Sequence, residues 1–464
     1  MQLNHTDGFS RRLALSVLVA IGLVVASCGN SGDDTADSDE NPSTTETGGS
    51  DATGDEEFVS IEGVPGVTDD EIRYAGFGTF AESNPLGTCV MQCMAEGVEA
   101  YFAYRNSEGG VHGRELVLDD PVNDELTKNQ EKALEIVSAG EHFGAFSATQ
   151  VASGWQDITG AGMPLYVWNI HPVETQDEAV FGNAPTICIE CTQRNAVWAG
   201  QQIGAENFAV FGYGVSENSK LSAQTSRAAI EQHADETGQE VVVFDDNLDF
   251  GLPNGIAPQV SAMVENDVDM VLSSIDLNGQ KTLAQEMERQ GLGDVPIFHP
   301  NTYNQDFVAE AGDLFVGDFV TVGFLPFEAE AEGTGQAAFR EWMGELGHEI
   351  SEVAMVGWIV ADAAYQGLVA AGPDFDQQKV IDATNQITDF TADGLVPPID
   401  WTTGHTPPTP DDRITNGSER TCTAMVRVNE SAEFEIYGGT PEKPWVCFAN
   451  DDLSVLEPEF VSFG

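Results

Sequence analysis

From Asp69 onward, short apolar runs alternate with longer amphipathic segments, and few folds accommodate that order. Ile72–Gly78 reads as a strand and 90–106 as a helix with Val90, Met94, Val98, Tyr101 and Phe102 on one face. Strand 115–119, helix 124–138, strand 142–147, helix 151–160 and strand 163–168 follow. Strands separated by helices need crossover connections, so they pair in parallel and carry helices on both faces of the sheet. After a Pro/Asn/Gly-rich passage at 171–186 the pattern repeats: helix 190–204, strand 207–213, helix 217–236, strand 239–244, helix 255–266, strand 268–274, helix 278–290 and strand 295–299. The expected class is therefore α/β, with two doubly wound parallel-sheet lobes.

A further strand near 316–324 precedes helices around 334–346, 352–371 and 377–388, and the Pro-rich stretch 396–410 interrupts helical structure. Beyond it, 423–428 and 433–437 flank Asn429–Ala432 as a predicted hairpin. In open α/β sheets ligands sit beyond the carboxyl ends of the strands. This rule selects 79–84, 147–149, 169–171, 213–219, 275–277 and 301–303 as candidate site segments.

The N-terminus has a different character. Arg11 and Arg12 precede an apolar run, Leu13–Val25, and then Ala26-Ser27-Cys28, the small-residue pattern of a lipoprotein cleavage site. The run is signal-peptide length, shorter than the ~20 residues a membrane-spanning helix needs. Residues 1–28 are thus expected to be a signal peptide ending at a lipid-bearing Cys28, which places the rest outside the cytoplasm, anchored to the cell membrane. Residues 29–66 read as an acidic tether with too little apolar surface to offset the entropy of ordering.

The chain carries 77 acidic against 18 basic residues, a net charge of -59. Such a field excludes nucleic acid and anionic lipid surfaces as binding partners and suits a salt-rich habitat. With Cys28 set aside, six cysteines remain, an even number that fits an oxidising compartment. Their spacing, Cys89/Cys93, Cys188/Cys191 and Cys422/Cys447, favours three local disulfides. Cys188 and Cys191 also match a redox pair, or half of a four-thiolate zinc site with Cys89 and Cys93. The expectation is disulfides, with no metal and no cofactor.

Three segments carry a resemblance: Gly66-Val67-Thr68-Asp69-Asp70-Glu71-Ile72, the run Ala100–Arg114 that contains Asn106-Ser107-Glu108-Gly109-Gly110, and Gly394–Trp401. Together, over about 66–450, the chain resembles the solute-binding proteins of branched-chain amino-acid-type ABC importers, the type I periplasmic binding fold. That resemblance implies a three-crossover hinge, with lobe one at 67–171 and 323–396 and lobe two at 172–322 and 397–464. It also implies closure of the lobes on a solute and recognition by membrane permease subunits. The protein is expected to act as a monomer.

The resemblance further implies site residues where positions match. Ser147, then Thr149, suits a substrate carboxylate, although either would equally cap the next helix. Asn169 and His171 fall where the family offers a carbonyl and a hydroxyl to an amino-acid head. Tyr213 matches a family aromatic, Asn301 stands where the family places an acid, and Asp276 is a substitute carboxylate or a helix cap. Phe80, Ser83, Trp168 and Tyr303 complete the candidate lining.

The reading is thus a lipid-anchored binding protein for a small polar or amphipathic solute, such as an amino-acid-like compound, an amide or a carboxylate. A ligand-sensing receptor component of the same fold is the alternative. A secreted hydrolase is disfavoured, because the sequence has no Gly-x-Ser-x-Gly elbow, no His-Glu-x-x-His helix and no phosphate-cradling Gly-x-x-x-x-Gly-Lys loop.

Overall fold

The computed structural model describes residues 58–84, 88–169, 171–186, 194–300, 302–407, 409, 420–449, 453 and 455–456. The predicted signal peptide with Cys28, residues 29–57 of the predicted tether, Cys188, Cys191 and Asn301 lie outside the described residues. Residues 58–66, expected to belong to the tether, are instead packed on the first lobe, the Val59 carbonyl accepting from Arg114 and the Gly66 carbonyl from the Arg73 amide.

The first sheet is wholly parallel. It comprises β1 (Glu71–Gly78), β2 (Glu115–Leu118), β3 (Val122–Asn123), β4 (Gly144–Ala148), β5 (Leu165–Val167) and β6 (Val180–Gly182), in the order β2-β1-β4-β5-β6 with β3 beside the end of β1. Helices α1 (Met91–Ser107), α2 (Asn129–Ala139) and α3 (Trp155–Gly160) connect the strands. β1 is buried on both faces along most of its length, as a central parallel strand covered by helices must be.

The second sheet follows the same plan and then turns back on itself. α4 (Arg194–Ile203), β7 (Asn207–Tyr213), α5 (Glu217–Thr237), β8 (Glu240–Leu248), α6 (Ala257–Glu265), β9 (Met270–Ser274), α7 (Leu277–Gln290), β10 (Ile297–His299), α8 (Gln305–Ala311) and β11 (Phe319–Val322) supply parallel strands in the order β11-β10-β9-β7-β8. Polar caps start many of these helices: Ser216 at α5, Asp276 at α7 and Asn304 at α8 each accept a backbone N–H of the first turn.

After β11 the chain returns to the first sheet. There α9 (Gly335–Leu346), α10 (Glu352–Ala371) and α11 (Gln377–Thr384) cover the face that α1 occupies. α10 is long and apolar enough to cross a membrane by composition, yet most of it is buried against α1 and the first sheet. Gly97 and Gly357 permit that contact: a Cβ on Gly97 would stand 1.8 Å from the Ala354 carbonyl oxygen, and one on Gly357 2.1 Å from that of Met94. Farther along, Trp358 packs edge-on to Tyr101, and Asp362 accepts from the Tyr101 hydroxyl beside Arg105. The two helices run in the same direction, so both begin at the same end of the lobe.

The C-terminal strands extend the second sheet. β12 (Arg420–Val428) pairs antiparallel with β11, with β13 (Phe434–Tyr437) and with β14 (Trp445–Ala449), and β15 (Val455–Leu456) pairs with β14. The predicted hairpin is present, in the register Met425–Tyr437 to Val428–Phe434.

The crossings differ from expectation at two points. β6 pairs with β5 in the first sheet, so the chain leaves that lobe after Gly182 and not near 170. Three residues, Val-Phe-Gly, make a strand too short to register as one within a Pro/Asn/Gly-rich passage. Likewise α12 (Trp401–Gly404) stays with lobe one, where Trp401 and His405 pack on Phe181 of β6 and Thr186 donates to the Gly404 carbonyl.

Among the described residues two disulfides are formed, Cys89–Cys93 and Cys422–Cys447. A regular helix separates residues four apart too widely for a relaxed bridge. Cys89 escapes that limit because it precedes α1, and Val90 at the cap leaves helical geometry, which brings the Cα atoms to 5.7 Å.

Candidate functional site

A cavity of about 750 Å³ opens at the carboxyl ends of the strands of both sheets. Gln150 follows β4, and Trp168 and Asn169 follow β5, on the lobe-one wall. Ser216, Asn218 and Ser219 after β7, Phe250 after β8, Ile275 to Leu277 after β9, and Pro300, Tyr303 and Asn304 after β10 make the lobe-two wall. The starts of α1 and α10 close the lobe-one side with Val90, the Cys89–Cys93 bridge, Ser351, Glu352 and Val353. The lining mixes aromatic and aliphatic side chains with a comparable number of polar ones, which suits an amphipathic small molecule.

The lobe-two wall is held by its own bonds. The Tyr213 hydroxyl donates to Asp276 Oδ2, while Asp276 Oδ1 accepts the amides of Asn278 at 2.9 Å and Gly279 at 3.1 Å. Asp276 is thus the cap of α7 as well as a cleft residue, and its carboxylate enters the cleft already supplied with donors. Burial and the Asp276 carboxylate both push the Tyr213 phenol above its ordinary range, so it remains a donor. The Tyr213 amide donates to Ser219 Oγ at 2.7 Å, which ties the strand end to α5.

Tyr303 is 4 % exposed and stacks on Phe327 with ring centroids 5.3 Å apart. Its hydroxyl donates to Glu328 Oε2 at 2.5 Å and accepts the Phe327 amide at 2.6 Å. Burial, and then the Glu328 charge, raise its phenol well above the usual value. Burial raises the Glu328 carboxyl as well.

Lobe one is arranged differently. Thr149 Oγ1 donates to Asp124 Oδ2 at 2.6 Å, within a buried cluster that includes Thr79 and Asn129. Ser147 is buried in β4. Neither residue is on the cavity wall, where Gln150 stands instead. Phe80 and Ser83 are also off the wall: the Phe80 amide and Ser83 Oγ are both engaged with the Asn123 side chain.

His171 joins the lobes at the edge of the cavity. Its Nδ1 lies 2.9 Å from Asn218 Nδ2, which can only donate, so Nε2 carries the proton and donates to the Thr149 carbonyl at 3.1 Å. Of the sequence candidates, Asn169, Tyr213, Asp276 and Tyr303 line the cavity, while Phe80, Ser83, Ser147, Thr149 and His171 do not.

Sequence reasoning passed over Glu352. It opens α10, which the linear pattern marks only as a helix, and nothing in that pattern says that its N-terminus reaches the cavity. Half-buried there, its carboxyl is pushed up to about 8 by desolvation. Asn169 is also short of partners: its Nδ2 donates to the carbonyls of Ala184 and Pro185, which fixes the amide orientation and leaves Oδ1 buried without a donor.

Residues 83–432 match the periplasmic binding protein family. No curated protein matches the chain by sequence. Similar solved structures include a fatty acid ABC transporter substrate-binding protein from Thermomonospora curvata, 17% identical, with TM-score 0.60 and coverage of 81% of this chain and 93% of that one. The branched-chain amino acid transporter substrate-binding protein LivJ from Streptococcus pneumoniae, in complex with isoleucine, is 15% identical, with TM-score 0.59 and coverage of 79% and 99%. An ABC transporter solute-binding protein from R. palustris, in complex with 4-hydroxybenzoate, is 14% identical, with TM-score 0.60 and coverage of 82% and 98%. At these identities the likeness is one of fold.

Proposed function

Because this chain belongs to the periplasmic binding protein family, we propose that it captures a small amphipathic solute in the cavity between its two lobes and delivers it to an ABC permease. The observation that carries this reading is the cavity: about 750 Å³, at the carboxyl ends of both sheets, with apolar and hydrogen-bonding groups from each lobe. Its volume lies within the range of small-molecule sites. Three crossings between lobes provide the hinge on which such a cavity closes, and His171 links Thr149 to Asn218 across it.

In this reading Cys28 carries the lipid and the acidic segment after it spaces the binding unit from the membrane, on the extracytoplasmic side. Two or more acyl chains hold a protein at a membrane, where one chain is marginal. Cys28→Ala is expected to move the protein from the membrane to the soluble fraction with its melting temperature unchanged. Retention of the variant in washed membranes would contradict the anchor.

The capture itself is tested by a thermal-shift panel of amino acids, amides, amines, alcohols and carboxylates, paired with native mass spectrometry of the purified protein. A solute at a hundred times its dissociation constant stabilises by about 2.7 kcal/mol, a readily measured shift. A protein that carries no retained mass and responds to no member of the panel would contradict the reading.

A further inference from the structure

Two acceptor groups on the cavity wall are unmet. Glu352 forms no side-chain hydrogen bond or ion pair among the described residues, and Asn169 Oδ1 is a buried acceptor without a donor. Both lie on the lobe-one wall. No lysine, arginine or histidine is among the described residues that line the cavity, whereas Asp306 and Glu310 stand exposed at its rim. The remaining lining sets apolar side chains, Val90, Trp168, Leu221, Phe250, Leu277 and Phe307 among them, between hydroxyl and amide groups. A ligand that satisfied this wall would bring donors and positive charge on an apolar body.

Resting on the solute-capture reading, we propose that the cavity selects a cationic amphipathic solute, an amine with a hydrocarbon or aromatic body, and that Glu352 is its counter-ion with Asn169 Oδ1 accepting a second N–H. A desolvated carboxyl left unpaired is costly when charged, and an ammonium removes that cost on arrival. Proton accounting follows: the empty protein holds Glu352 protonated, and binding of R–NH₃⁺ releases that proton to buffer and leaves a carboxylate–ammonium pair. With the carboxyl at about 8 in the empty protein, close to one proton leaves per ligand at pH 7.

Other groups near Glu352 do not supply this behaviour. Tyr303, whose phenol senses the Glu352 charge, and Tyr213 are both raised and stay neutral. Asp276 is occupied by the cap and by Tyr213. On the lobe-one side, His348 lies 3.3 Å from Glu99 and 3.9 Å from Glu96 of α1.

The test is calorimetry on the whole mature protein with a six-carbon set, n-hexylamine, 1-hexanol, hexanoate and norleucine, at pH 6, 7 and 8 and in two buffers of different ionisation enthalpy. Hexylamine is expected to bind at least tenfold more tightly than the other three. Its affinity should rise roughly tenfold from pH 6 to 7 and about fivefold more from pH 7 to 8, with close to one proton released at pH 7. Glu352→Gln, nearly isosteric with the neutral carboxyl, should melt no lower than the parent does, lose at least tenfold for hexylamine and lose the proton release. Preference for hexanoate, hexanol or norleucine, or hexylamine binding without proton release, would overturn the inference and leave solute capture standing. So would failure of all four probes while another solute of the wider panel binds. Silence of the whole panel would instead sink the capture reading beneath it.

Discussion

The two walls of the cavity are built from the same kind of segment, a loop after a parallel strand, yet they stand in different states. On lobe two the loops are bonded to each other: Asp276 caps α7 and holds the Tyr213 hydroxyl, and Ser219 holds the Tyr213 amide. On lobe one, Thr149 is drawn inward to Asp124, and two groups on the wall, Glu352 and Asn169 Oδ1, lack partners among the described residues. In the proposed reading the finished wall positions the solute and the unfinished one selects it. The difference teaches that a polar residue after a strand end is not by itself a ligand group; what matters is whether the protein has already used it.

The contrast between lobes extends to their disulfides, where the largest effects are expected. Cys422–Cys447 closes a 25-residue separation within the lobe-two sheet, and Cys89–Cys93 one of 4 residues at the cavity edge. Loop-entropy scaling assigns about 3.5 kcal/mol to the first and about 2 kcal/mol to the second. Urea unfolding of the two double Cys→Ala variants should rank them in that order, and the reverse ranking would show that the wall, and not loop length, sets the value.

Next in size is Asp276→Ala, which removes a cap and leaves the Tyr213 hydroxyl buried without an acceptor, at a cost of about 3 kcal/mol by denaturant unfolding. Thr149→Val strikes the matching place in lobe one and should cost about 2 kcal/mol through loss of the hydrogen bond to Asp124. The two should part in calorimetry. Asp276→Ala is expected to weaken solute binding at least tenfold, and Thr149→Val less than threefold. Equal losses of affinity would erase the distinction between the walls.

The last effect is on pH dependence. Glu352 and Glu174 are both held up to about 8 by burial, so between about pH 5 and pH 8 the folded protein keeps protons that the unfolded chain has released. Stability of the empty protein should therefore fall as pH rises through that window. Glu352→Gln, and separately Glu174→Gln, should each flatten the decline in urea midpoint measured at pH 5, 6, 7 and 8.

Much of the fold was legible because helix and strand periods differ and alternate. β7 occupies the predicted 207–213, and α10 the predicted 352–371. β6 and α12 were not legible, since three or four residues carry no period and their places are set by contacts with β5 and Phe181. The strand-end rule led to Asn169, Tyr213, Asp276 and Tyr303. It also selected Ser147 and Thr149, because sequence does not reveal that Asp124, 25 residues before Thr149, waits in the interior for a hydroxyl. Glu352 was hidden for the converse reason: its approach to the cavity depends on the close, parallel packing of α10 on α1 at Gly97 and Gly357.

The central claim, a solute held by both walls, is tested most directly by hydrogen–deuterium exchange with and without the solute that gives the largest thermal shift. Slowed exchange is predicted together at 168–169 and 351–353 on lobe one and at 213–219 and 274–277 on lobe two, with little change in β12 to β14. Protection confined to one lobe, or centred away from these four segments, would contradict it.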